Sequence, residues 1–143
     1  WKWLASNCKM GYGDGRKMEA GKTYTVPLKV PKHKDKREAF DERKPGSRIR
    51  IGTCAYGIHG SIDICDAWAN RFEGYTRIAR VKLSGMVSHD YDKVAAQRCR
   101  VLWIADASKI IKAAAASFGQ SDVVKARLEA LDQKKGTAPK KTK

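Results

Sequence analysis

Thr76-Arg77-Ile78-Ala79-Arg80-Val81-Lys82-Leu83 and Arg98-Cys99-Arg100-Val101-Leu102-Trp103-Ile104 are the two stretches whose period decides the fold. In the first, Ala79, Val81 and Leu83 alternate with Arg80 and Lys82, the two-residue period of a strand with one covered face. In the second, Arg98 and Arg100 share a side, and the apolar run that follows reads as a strand covered on both faces. Arg48-Ile49-Arg50-Ile51 repeats the doublet in a third candidate strand. Side chains two apart on a strand project to the same side, so each doublet must share a face. A sheet built from these segments would present rows of positive charge from Arg48, Arg50, Arg80, Lys82, Arg98 and Arg100.

Working outward, Gly85 is expected to end the first strand, and an excursion through His89-Asp90-Tyr91-Asp92 leads to the second. Trp1-Lys2-Trp3-Leu4 reads as a short strand. Thr23-Tyr24-Thr25-Val26 begins another, which Pro27 and Pro31 confine to an edge. The cluster Gly11-Tyr12-Gly13-Asp14-Gly15 is a turn, since no strand-then-helix context or Gly-Lys-Ser/Thr completes a phosphate loop. Ser61 is placed to cap a helix running to about Phe72, with Ile62, Cys65, Trp68, Ala69 and Phe72 as its buried stripe. Asp106 or Ser108 caps a second helix through Phe118, stopped by Gly119. Ser121 caps a third to Gln133, whose Val124, Leu128 and Leu131 would pack on the domain or on another subunit.

The expected class is α+β, a mainly antiparallel sheet with helices on one side. At 143 residues and 42% hydrophobic content, the chain fits one domain, residues 1–133. Within it, 33–47 reads as a charged insertion, and 134–143 as a disordered basic tail with nothing to anchor a core.

Thirty basic against fifteen acidic residues give a formal charge of +15. Such an excess attracts nucleic acid, anionic membrane or acidic protein. It is unevenly spread: residues 29–50 hold nine basic and four acidic residues, 51–70 hold no Lys or Arg, and 134–143 hold five lysines. No apolar run approaches the roughly 20 residues of a membrane span, and no signal segment opens the sequence, so a soluble protein without a membrane partner is expected.

Cys8, Cys54, Cys65 and Cys99 are scattered singly and read as buried free thiols in a reducing compartment. The alternative, a zinc site from Cys54, His59 and Cys65, matches no closed four-ligand spacing, so no metal and no cofactor are expected. Cys54 and His59 as nucleophile and base lack an orienting third residue. Asp90 and Asp92 read as solvated loop carboxylates.

Gly21-Lys22-Thr23-Tyr24, Cys54-Ala55-Tyr56-Gly57-Ile58-His59, Leu83-Ser84-Gly85-Met86-Val87 and Asp92-Lys93-Val94-Ala95 follow one another in that order. The succession resembles a domain family of unknown function common in bacteriophage and prophage genomes. In that family a Gly-Lys-x-Tyr strand start, a Cys-x-x-Gly-Leu/Ile/Phe-His turn and a Gly-x-Val then Asp-Lys pair recur. The resemblance spans about residues 12 to 104; the 33–47 insertion and the basic tail depart from the usual form. It implies a phage-related origin, in host cytoplasm or virion, and no established activity.

A fainter likeness links Gly57-Ile58-His59, Ala67-Trp68-Ala69 and the strand from Ile78 to ADP-ribosyltransferases. It would put His59 in the place of a motif tyrosine that helps hold NAD. Those enzymes need a late glutamate, and this region offers only Asp90, Asp92 and Asp106, which argues against transfer chemistry.

The leading expectation is therefore binding of nucleic acid or another polyanion without sequence specificity. Arg48, Arg50, Arg80, Lys82, Arg98 and Arg100 would supply the contacts, joined by Lys34, Lys36, Arg37 and the lysine tail. A second class with the same charge is a phage virion or assembly component that docks on an acidic protein surface, as a homo-oligomer or in repeated copies.

Overall fold

The chain lays down β1 (Lys2–Leu4), β2 (Thr23–Thr25), β3 (Ile58–Gly60), α1 (Ile64–Ala69), β4 (Arg77–His89), β5 (Val94–Asp106), α2 (Ser108–Ala116) and α3 (Ser121–Gly136). The structure is a computed structural model that describes residues 1–10, 15–30, 32, 44–53, 56–116 and 121–136. It is α+β, with five antiparallel strands in one sheet of order β1-β4-β5-β2 and β3 also paired to β5.

Two long strands, β4 and β5, form the frame, each of 13 residues. Their connection closes with Asp90 N donating to Lys93 O at 2.9 Å. Gly85 does not end β4. It sits at φ +80° in a bulge, where Gly85 and Met86 together oppose Gln97. A glycine at positive φ fits a bulge as well as a strand end, and the sequence alone could not separate them.

A second bulge lies nearer the other end of the hairpin. Arg80 pairs with Trp103 and Val81 with Val101, leaving Leu102 as the extra residue. Leu102 is 49% exposed, so the apolar end of β5 is not covered on both faces as expected.

Bulges sharpen twist, and here the sheet curls far enough for its two edges to meet. Ser61, just after β3, exchanges two backbone hydrogen bonds with Trp1, just before β1. The concave side encloses Leu4, Met10, Met18, Val26, Ile51, Ile58, Ala79, Ala95, Cys99 and Val101.

The helices gather on the convex side. There Trp1, Trp3 and Ile78 pack with Ile64 and Ala67 of α1, Ala114 of α2, and Val124 and Leu128 of α3. Edge-to-face contacts of Trp1 with Trp103 and of Trp3 with Trp68, both 5.8 Å between centroids, tie the strands to this layer. The third helix thus packs on its own domain.

Helix α1 is shorter than the spacing predicts, and its register differs. Asp63, not Ser61, caps it, accepting from Cys65 N at 2.6 Å. Ile64 and Ala67 are its buried residues, whereas Ile62, Ala69 and Phe72 are exposed. An aspartate two residues further on is an equally good cap, and moving the start by two residues turns a different stripe inward.

Arg48 to Ile51 forms no ladder strand. A single bridge joins Arg48 to Lys29, and Ile49 N donates to Leu28 O at 2.8 Å. The alternation survives: Ile49 and Ile51 are buried, Arg48 and Arg50 exposed. Lys134 and Lys135, expected in the tail, belong to the last turn of α3. Lys34, Lys36, Arg37 and residues 137–143 lie outside the described residues, as do Gly11 to Asp14 and the expected helix stop at Gly119.

Candidate cationic interface

Beyond the helices, the convex face of the hairpin continues uncovered. Lys82 of β4 stands directly opposite Arg100 of β5, and Ser84 opposite Arg98. On the other side of β5, Thr23 and Thr25 of β2 oppose the same two arginines. All six residues are exposed. Three neighbouring strands therefore place Lys82, Arg98 and Arg100 on one patch flanked by hydroxyls from Thr23, Thr25 and Ser84.

Opposed like charges destabilise an antiparallel pair, by roughly 0.2–1 kcal/mol. Nothing offsets this one: among the described residues no carboxylate pairs with Lys82, Arg98 or Arg100. A Cβ on Gly85 would stand 2.7 Å from Gln97 Oε1 and 3.3 Å from Arg98 Nε, so the glycine leaves room for both side chains.

Arg80 belongs to the same face, but it is engaged. It stacks on Trp1 at 4.7 Å from the ring centroid and faces Asp132 of α3 at 3.6 Å. Trp103 Nε1 donates to the other oxygen of that carboxylate at 3.2 Å. Arg80, expected among the phosphate-contacting residues, is thus held within the protein by Trp1 and Asp132.

Arg48 and Arg50 sit with Lys29 on the neighbouring ribbon, whose chain leaves β2 at Thr25. Lys29 lies four positions after Thr25, which keeps their Cα atoms within about 14 Å. Of the doublet residues, the structure brings Lys82, Arg98 and Arg100 together on one face. The hydroxyl rim was missed, although the alternation in Thr23-Tyr24-Thr25-Val26 carried its signal; Asp132 had none, since only tertiary packing brings it to the sheet.

The residues considered for chemistry are bound up in structure. Burial pushes the Cys99 thiol up to about 11. Burial, then Asp63, raises that of Cys65. His59 is half-buried; burial first and the Lys2 charge next lower its pKa, against a backbone hydrogen bond involving Gly52. Lys2 Nζ donates to the carbonyl oxygen of His59 at 2.7 Å. Ala67 is buried, and Trp68 packs on Trp3, so the helix segment likened to an NAD-binding one is core.

Asp92 accepts from Asn70 Nδ2 at 2.8 Å, which holds its carboxyl below the usual range and ties the hairpin turn to the end of α1. The Ser108 side chain first, and then its N donating at 2.8 Å, likewise hold the carboxyl of Asp106 below the usual range at the start of α2.

Cys54 lies outside the described residues, and among those described no group of three or more His, Cys, Asp or Glu could hold a metal. No described helix is long and apolar enough to cross a membrane. Comparison with protein-family models, curated proteins and solved structures returns no match.

Proposed function

We propose that the protein binds nucleic acid through the Lys82, Arg98 and Arg100 patch, by contacts to phosphates and without reading base sequence. The observation that carries this is the directly opposed Lys82 and Arg100 pair, exposed and, among the described residues, without a carboxylate to neutralise it. Such an arrangement costs stability in the free protein and is relieved by a bound polyanion. The hydroxyls of Thr23, Thr25 and Ser84 add hydrogen-bond donors suited to phosphate oxygens. Lys29, Arg48 and Arg50 extend the footprint to about six cations. The likeness of residues 12 to 104 to a bacteriophage domain family supports a phage-related setting.

A footprint of six phosphates loses roughly 300-fold in affinity for single strands, and about 2,000-fold for duplex, between 50 and 200 mM salt. Gel-shift titrations with single- and double-stranded oligonucleotides at those two concentrations measure it. Replacing Lys82, Arg98 and Arg100 together by Ala is expected to abolish most binding and to flatten the log–log salt dependence by roughly 2–3. An unchanged affinity in the triple variant refutes the proposal. Retention of wild-type protein on polyglutamate but not on nucleic acid, at equal salt, reassigns the patch to an acidic protein surface, as expected of an assembly component. Turnover of NAD that depends on His59 would point to the enzyme class instead.

A further inference from the structure

The row of outward cations on β4 does not stop where α3 begins. Arg80 lies two residues before Lys82 on the same face, and its cross-strand neighbour Trp103 lies on the strand that carries Arg100 and Arg98. The Arg80 guanidinium, in an ion pair at 3.6 Å, and the Trp103 indole N–H, in a hydrogen bond at 3.2 Å, converge on the two oxygens of a single carboxylate, that of Asp132. Donors that grip both oxygens of one anion form an oxyanion seat, and a phosphodiester offers the same pair of acceptors. The Arg80 and Asp132 side chains remain 36% and 33% exposed, so an incoming phosphate can reach this seat from solvent. Trp1, under the Arg80 guanidinium, orients that side chain from below.

We propose that Arg80 and Trp103 form a further phosphate subsite of the cationic patch and that Asp132 is its built-in competitor, exchanged for a nucleic-acid phosphate on binding. This rests on the nucleic-acid reading above. Asp132 rides on α3 and is one helical turn past Leu128, the fully buried anchor of that helix. Exchange therefore needs the carboxylate to turn away rather than α3 to leave. With Asp132 in place the subsite is neutral in the free protein, and displacement adds one phosphate contact to the footprint.

The test uses the full chain and a single-stranded oligonucleotide. Asp132→Asn is expected to bind roughly fivefold tighter than wild type, the scale of a half-exposed ion pair removed from competition. Its log–log salt slope should stay close to that of wild type, because the exchange gives both proteins the same phosphate contact at Arg80. Glu129→Gln, an exposed charge change on the same helix, controls for net charge and should give a smaller gain with no change in slope. In the double variant Arg80→Gln, Asp132→Asn the gain should vanish. Melting curves confirm that each variant is folded.

Equal gains from Asp132→Asn and Glu129→Gln overturn the competitor role while leaving the patch intact. A gain that persists without Arg80 overturns the subsite. If neither wild type nor Asp132→Asn binds, this inference falls, and the nucleic-acid reading falls with it.

Discussion

Gly57 shows how a single atom can be excluded. It stands at φ +138°, and a Cβ there would lie 3.1 Å from Ile51 Cγ2 and 3.3 Å from Ala95 Cβ, both in the core on the concave side of the sheet. Gly74 has a similarly unfavourable φ of +79° but nothing within 4 Å. Gly57→Ala is therefore expected to cost about 3 kcal/mol, as strain and overpacking combine, against about 1 kcal/mol for Gly74→Ala. Urea titrations of the two variants measure the difference; equal losses would mean that the core yields at Gly57. At this scale the sequence was partly legible. Gly57 stood out within a short motif, yet what crowds it comes from β5 and from Ile51, which no local pattern discloses.

At the scale of elements, the doublets on β4 and β5 were legible because a period of two survives twist and curl. The bulges were not, because a bulge is a count of two residues against one between strands. Gly85 was its visible mark, and the same residue reads equally as a stop. Helix α1 illustrates the converse case: Ser61 and Asp63 are both good caps, and the choice between them sets which apolar residues turn inward.

Helix α3 was read correctly from Val124 and Leu128, which are buried at 2% and 0% exposure. Because α3 carries Asp132 onto the sheet, its seating matters to the patch as well as to stability. Leu128→Ala is expected to destabilise the protein by about 3 kcal/mol, read as a lower denaturant midpoint. A loss below about 1 kcal/mol would show that α3 contributes little to the fold.

For the whole molecule, the charge of +15 suggests a polyanion partner but does not say which cations stay open to one. Placement depends on the helices, which cover one end of the convex face and neutralise Arg80, while leaving Lys82, Arg98 and Arg100 open. No sequence period records that division, since it follows from packing between segments distant in the chain.

The opposed Lys82 and Arg100 pair carries a consequence for anyone seeking a hardier form of this protein. Lys82→Glu would turn repulsion into attraction across the ladder and is expected to gain about 1 kcal/mol. The same change should weaken oligonucleotide capture by removing one cation and adding an anion. Thermal melts and binding isotherms of this variant should move in opposite directions, and a joint rise in both would contradict the assignment. Heat tolerance used as the sole selection criterion would thus enrich for molecules that have lost the cationic patch.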